Sequence, residues 1–316
     1  MRAWQFTNTH EPLVLTEVDE PTAAPGEVVV DIRAAGLCHS DVGLMEDEGW
    51  LTMLVKRPIT IGHEVAGVVA ELGAGVTDWR VGDRVGLCPT TTAGAPGYSR
   101  DGGYTYRIAM PALALVRIPD NVPFALGAAG TDAGMTSHHA VIAAGGVTAG
   151  TKVGIIGLGG LGQIGARIGV LAGAEVYVAE INRAVWGLAE PLGVARVASS
   201  ITEFADVGLD VIVDLAGFGT TTAQAIETVR RGGRVVQVGM GRLEATISTK
   251  ALILNRVTLV GSAGGTKDDV AGVYGYFATG KLAPVITDIT FDEIPDGLDR
   301  LRRGDVTGRL VAKISG

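Results

Sequence analysis

Cysteine is scarce. Only Cys38 and Cys88 occur among 316 residues, too few for a disulfide framework, and such usage suits a reducing compartment, so a cytoplasmic protein is expected. Basic charge is also in deficit: 26 Lys and Arg face 34 Asp and Glu, a net charge of −8. Nucleic acid and anionic membranes both require a basic surface, so neither is an expected partner, and a small molecule is. A long apolar run is missing as well. The longest stretch free of Asp, Glu, Lys and Arg, Ala133 to Thr151, carries two histidines, several hydroxyl residues and many glycines, and makes a poor membrane span. The first residues, MRAWQFTNTHEP, have no apolar signal core. Hydrophobic residues, at 47% against 19% charged, imply a soluble globular chain with a large interior, and 316 residues exceed what one compact core usually holds, so two domains are expected.

Glycine is abundant, 47 of 316 residues, so a glycine triplet alone carries little weight and its context must carry the reading. That context exists at Lys152 to Gly162, KVGIIGLGGLG, where an apolar β-branched run breaks into Gly157, Gly159 and Gly162 and then into a helix-like segment. The first glycine makes a tight turn, the second lets a pyrophosphate approach the backbone, and the third lets the helix lie close on the strand. Gly160 and Leu161 complete the turn, and the helix start presents free N–H groups to phosphate. A second strand, Glu175 to Ala179, ends at Glu180, 23 residues after Gly157. A carboxylate at that interval is expected to accept the adenosine ribose hydroxyls and repel a 2′-phosphate, favouring NAD(H) over NADP(H), with Arg183 softening the preference. The plain alternative for Glu180 is an exposed acid at a strand end.

The chain divides by pattern. From Met1 to about Ile118 it is strand-like and rich in turns, with strands expected at Val28–Ala34, Val65–Leu72 and Val81–Val85. After Pro119 to Pro123 comes an Ala- and Gly-rich helix, Phe124 to Ala144, and then alternating strands and helices: strands at Val153–Ile156, Glu175–Ala179, Asp210–Leu215, Arg234–Val238 and Val257–Val260. Helices are expected at Gly160–Ala172, Arg183–Leu192 and Thr221–Arg231. Apolar strands separated by helices predict a parallel sheet covered on both faces. The fold class is therefore α/β, a Rossmann-type doubly wound parallel sheet over 134–264, plus an irregular β-rich domain over 1–133 to which the tail, 265–316, returns with short strands around a helix at Glu293–Arg303.

Upstream of the glycine turn stand Gly36-Leu37-Cys38-His39-Ser40-Asp41 and Gly62-His63-Glu64, followed by VGDRV (Val81–Val85), DGGY (Asp101–Tyr104) and, near the end, GRLV (Gly308–Val311). In this order, spread over nearly the whole chain, these motifs resemble the medium-chain, zinc-dependent alcohol dehydrogenase family. The resemblance implies a GroES-like catalytic domain beside the Rossmann domain, and a homodimer or homotetramer built through the latter, with Arg256–Val260 as a candidate edge strand. It implies zinc ligands at Cys38 and His63, residue types that suit this ion. Most relatives supply a third ligand, a cysteine, at the position held here by Asp132, and a subgroup of bacterial secondary-alcohol dehydrogenases supplies Asp. Glu64 is a candidate fourth or exchanging ligand, and Asp41 would fix the His63 imidazole. Taken singly, Cys38 reads as a buried apolar filler, His63 as a core histidine and Asp132 as a helix cap.

The implied chemistry is hydride transfer between NAD(H) and an alcohol or carbonyl substrate, with zinc as Lewis acid. Ser40 matches the hydroxyl that passes the alcohol proton onward, but Gly43 stands where many relatives carry the next histidine. Water, the cofactor ribose or His39 would finish the path. Thr136 matches a residue touching the nicotinamide and Arg309 one reaching the pyrophosphate, while a tail arginine alone reads as a solvated charge. Between Gly86 and Asp101, where many relatives carry four cysteines, this chain has only Cys88, so one catalytic zinc and no structural zinc are expected, with a mobile turn-rich loop in the lobe's place. Trp50, Leu51 and Leu54 read as a pocket wall or as core. Two other readings stay open: a zinc-free NAD(P)H reductase of activated C=C or C=N bonds, and a non-catalytic dinucleotide-binding protein.

Overall fold

The computed structural model describes residues 1–314, so the last two residues of the tail lie outside the described residues. The chain forms two compact units, one made of Met1–Asp132 with Thr266–Gly316 and the other of Ala133–Gly265.

The second unit is built on six parallel strands in the spatial order Arg196–Ala198, Glu175–Ala179, Lys152–Ile156, Val211–Asp214, Arg234–Gln237 and Thr258–Gly261. Numbered along this unit, that order is 3-2-1-4-5-6, the doubly wound arrangement whose ligand crevice opens where the winding reverses, between Lys152–Ile156 and Val211–Asp214. The central strands are apolar because helices cover both faces; Val153, Ile155, Ile212, Val213, Val235 and Val236 are all fully buried. Each such side chain contributes about 1.5–3 kcal/mol of transfer free energy. The strand Arg196–Ala198 is an addition to the five expected from sequence. Three residues long, it has too little pattern to announce itself, and it exists because Tyr177 to Ala179 offer it a parallel edge. At the opposite edge, Thr258, Leu259 and Gly261 are exposed.

The first unit centres on a seven-stranded sheet ordered Ile286–Thr290, Arg309–Lys313, Glu27–Gly36, Glu64–Leu72, Arg84–Leu87 and Leu115–Arg117, with Arg107–Pro111 also pairing Glu27–Gly36. Tail strand Arg309–Lys313 runs antiparallel to the end of Glu27–Gly36, pairing Val311 with Gly36. One core of Val30, Ile32, Leu37, Leu44, Ile61, Val65, Leu87, Met110 and Leu310 fills this unit. The expected strand Val81–Val85 begins later, at Arg84, because Val81 is exposed and Gly82 turns the chain at φ +96°. Three neighbouring strands carry the candidate site. Glu27–Gly36 runs into Leu37 and Cys38, Glu64–Leu72 starts just after His63, and Arg309–Lys313 starts at Arg309. Their pairing, with Gly36 opposite both Glu64 and Val311, brings these ends together. Among the described residues, no helix is long and apolar enough to cross a membrane.

The expected uniform helix Phe124–Ala144 is broken into pieces. It starts as an α-helix, Phe124–Ala129, widens to π-helical turns at Gly130–Gly134, returns to α at Met135–His138 and widens again at His139–Ala144. A π turn adds a residue to the helical circuit and re-aims a side chain, and such turns gather at functional sites. Here the re-aimed residue is Asp132. Gly130 lets this turn pack against Tyr274, since a side chain there would lie 2.6 Å from the Tyr274 ring.

Candidate metal centre and cofactor turn

Cys38, His63, Glu64 and Asp132 bring one potential ligand atom each to within 4.8 Å of one another. His63 Nε2 lies 3.3 Å from Asp132 Oδ2, and Cys38 Sγ lies 3.7 Å from the same oxygen. Zinc bonds of about 2.0–2.3 Å at tetrahedral angles place ligand atoms about 3.4–3.6 Å apart, so the two edges that meet at Asp132 Oδ2 are close to those such an ion requires. Glu64 is differently engaged. Its Oε2 accepts from Arg309 Nε at 3.2 Å, and its Oε1 faces Arg309 Nη2, in an ion pair that is almost completely buried. Gly36 leaves the room: a side chain there would fall 2.0 Å from Glu64 Oε2.

Electrostatics follow from this packing. Burial pushes the Cys38 thiol up, but the charge of Arg309 and the bond and charge of His63 outweigh both burial and the opposing Asp132, leaving its pKa below the ordinary thiol value. Burial disfavours the His63 imidazolium, yet Tyr98, Asp41 and Asp132 around it raise its pKa well above the ordinary value. The carboxylates that favour positive charge on His63 would equally favour a bound cation, which takes the place of the proton at Nε2.

A set of buried contacts surrounds the donors. Asp41, 1% exposed, accepts the Cys38 backbone N–H at 3.2 Å and the Tyr104 hydroxyl at 2.7 Å on Oδ2, while its Oδ1 lies 3.4 Å from His63 Nδ1. Ser40 Oγ lies 3.4 Å from His63 Nε2, beside the donors, and shares a hydrogen bond with Tyr98, whose ring packs 5.4 Å from that of His63. His39 points elsewhere: it is exposed, and its ring bonds the backbone carbonyl of Leu301. Tyr98 and Tyr104 were not singled out by sequence. Their partners lie dozens of residues away, and DGGY as a motif carries no hint that its hydroxyl is used. The segment expected as a mobile loop, between Cys88 and Asp101, is folded into turns in which the Ala95 carbonyl accepts the N–H groups of Tyr98, Ser99 and Arg100.

Gly43, the gap in the proton path, is filled. A side chain there would meet Trp50 Cε2 at 2.6 Å, so the indole occupies the space and no residue at 43 can relay a proton. Trp50 is 8% exposed and belongs to the core, with Leu51 and Leu54 packed against it. Arg309 is no solvated tail charge, since it is 3% exposed and paired to Glu64.

In the second unit the three glycines have separate roles. Gly157 has φ +93°; Gly159 has open space where a side chain would point; and a side chain at Gly162 would meet the Gly157 carbonyl at 2.0 Å. Gly160 and Leu161 open the helix Gly160–Leu171, which no side chain caps, so its amino end is left for an anion. Glu180 accepts from the backbone N–H groups of Leu158 and Asn182, each at 2.7 Å, which anchors the carboxylate on the glycine turn. Arg183 lies 5.4 Å over the Trp186 ring, and the Trp186 indole donates to the Glu180 carbonyl. Thr136 is buried in the helix Met135–His138.

Residues 24–120 match the model of the alcohol dehydrogenase GroES-like domain, and residues 160–278 match that of the zinc-binding dehydrogenases. An alcohol dehydrogenase of Geobacillus stearothermophilus is 32% identical over 99% of this chain and 100% of its own. Among solved structures, the alcohol dehydrogenase of Aeropyrum pernix superposes with a TM-score of 0.92 at 28% identity, covering 99% of this chain and 100% of its own. The acetophenone reductase of Geotrichum candidum, solved with NAD, gives 0.92 at 26% identity over 99% of this chain and 97% of its own. With both family models matched in order and a relative of this identity aligned end to end, the chain belongs to the medium-chain, zinc-dependent alcohol dehydrogenase family.

Proposed function

We propose that this protein is an NAD(H)-dependent alcohol dehydrogenase and ketone reductase whose single catalytic zinc is held by Cys38, His63 and Asp132. The observation that carries the reading is the convergence of these donors at 3.3 and 3.7 Å, spacings that fit a tetrahedral ion. The chemistry such an ion supplies when bound is Lewis acidity toward an alcohol or carbonyl oxygen. The residues do the rest. Asp41 braces the His63 ring, and Ser40 holds a hydroxyl beside His63 Nε2, placed to take the alcohol proton and, through Tyr98 or solvent, pass it on. Arg309 keeps Glu64 engaged, so three donors from the protein leave a fourth position for substrate.

Gly157 to Gly162 would receive the pyrophosphate, and Glu180 the adenosine ribose, which favours NAD(H) over NADP(H). Secondary alcohols and ketones are the preferred substrates in this reading, supported by Asp132 in place of cysteine and by the likeness to an acetophenone reductase. The zinc-free reductase reading has no use for a thiol, an imidazole and a carboxylate gathered this closely. The protein works in the cytoplasm as a homo-oligomer, a reading supported by its sparse cysteine and its exposed edge strand Thr258–Gly261. The test is turnover on paired primary and secondary alcohols with NAD or NADP, before and after chelation. Activity should prefer NAD, vanish with the metal and return with zinc; undiminished turnover in metal-free protein would contradict the assignment.

A further inference from the structure

Tyr104 is completely buried, and its hydroxyl donates to Asp41 Oδ2 at 2.7 Å, with the Gly36 carbonyl at 3.4 Å. The same Oδ2 accepts the backbone N–H of Cys38 at 3.2 Å. Two donors therefore pin one oxygen of a carboxylate that is itself 1% exposed. The other oxygen, Oδ1, has no hydrogen-bond partner, and neither has His63 Nδ1, 3.4 Å away. Buried polar atoms rarely stay without partners, so these two are each other's only recourse. An Nδ1 proton drawn toward Asp41 leaves the Nε2 lone pair facing Cys38 and Asp132.

We propose that Tyr104 is a positioning residue for the metal centre: its hydroxyl holds the Asp41 carboxylate in the one orientation that presents Oδ1 to His63. This rests on the reading of Cys38, His63 and Asp132 as zinc ligands. The tyrosine has a second, separable contact. Its ring lies against Gly62, where a side chain would fall 2.5 Å from Cδ1 and where the backbone takes φ +95° just before His63. The ring thus shapes the approach of the chain to the ligand, and the hydroxyl orients the group behind it. Phenylalanine at this position keeps the ring contact with Gly62 and removes the hydroxyl bond to Asp41. Asp41 then retains only the longer bond from Cys38 on Oδ2 and is free to turn away from His63.

The experiment is a zinc-affinity measurement by chelator competition on the full chain, with the absorption spectrum of the cobalt-substituted protein as a second readout. Tyr104→Phe should weaken zinc binding about tenfold, as losses behind a ligand do, and alter the cobalt bands. Tyr106→Phe removes a hydroxyl bonded to Arg2 instead and should leave both unchanged. Asp41→Asn should weaken zinc comparably, and adding Tyr104→Phe to it should cost little more, because both changes act through one carboxylate. Unchanged zinc affinity in Tyr104→Phe, or an equal further loss in the Asp41→Asn background, would overturn the proposal. Should Tyr104→Phe not fold, wild-type affinity in Asp41→Asn would overturn it too. A wild-type protein that binds no zinc would instead overturn the metal reading on which it rests.

Discussion

Asp132 is the least shielded of the three convergent donors, its side chain 17% exposed against 6% for His63. A partly exposed carboxylate contributes little to the core, so its removal should separate metal binding from folding. Asp132→Ala is expected to weaken zinc by more than about 100-fold, beyond what losses behind a ligand cost, while leaving the metal-free protein folded. Chelator competition and thermal unfolding read the two separately, and retained zinc with full turnover would refute its role. Glu180 is the residue proposed to do the same for the cofactor. Glu180→Ala should weaken NAD about tenfold, the loss of a charge-assisted hydrogen bond, and leave NADP nearly unaffected, so that the ratio of their dissociation constants narrows; an unchanged ratio would remove Glu180 from cofactor selection. Cys38, His63 and Glu180 could be picked out of the sequence because each sits in a local motif. Asp132 could be picked out only as a substitution within one. Tyr104 could not, because its function lies in a bond to a residue 63 positions away.

The glycine turn allows a cleaner test at the level of the element. Gly162→Ala puts a methyl group 2.0 Å from the Gly157 carbonyl, which must push helix from strand and should cost roughly 2 kcal/mol or more. Gly159→Ala meets nothing within 4 Å and has φ −79°, so its stability should stay within about 0.5 kcal/mol of wild type. NAD affinity should nevertheless fall, because the added methyl occupies the approach left open for the ligand. Calorimetric binding and thermal unfolding of the pair decide this, and a Gly159→Ala protein with wild-type NAD affinity would show that the open space is not the phosphate site. The turn was readable because its glycines are punctuated by apolar strand and helix. The π turns around Asp132 were not, since Ala- and Gly-rich sequence supports a regular helix equally well and the close packing of Gly130 on Tyr274 is a tertiary contact. Nor was the strand Arg196–Ala198, whose existence depends on a neighbour rather than on its own pattern.

For the whole molecule, the parallel sheet ends on an exposed edge, and the nearby helix Thr249–Leu254 leaves Ile253 and Leu254 69% and 59% exposed, with Leu259 on the strand at 38%. Unpaired edges that carry apolar side chains invite pairing, and we expect a second copy to cover this one. Charges at Ile253 and Leu259 (Ile253→Lys with Leu259→Lys) should shift the protein toward monomer in light scattering without unfolding it; an unchanged mass would place the contact elsewhere. The strand and helix pattern and the proposed donors are legible in sequence, since periodicity and motifs are local, whereas the buried braces and the filled space at Gly43 are products of packing. In the proposed reading one zinc ion, held by Cys38, His63 and Asp132, serves NAD-dependent oxidation. The most direct test of that reading is the zinc content per chain of purified, active protein by mass spectrometry. One zinc per chain, lost together with turnover on chelation, is the result predicted; full turnover in protein that contains no zinc would contradict it.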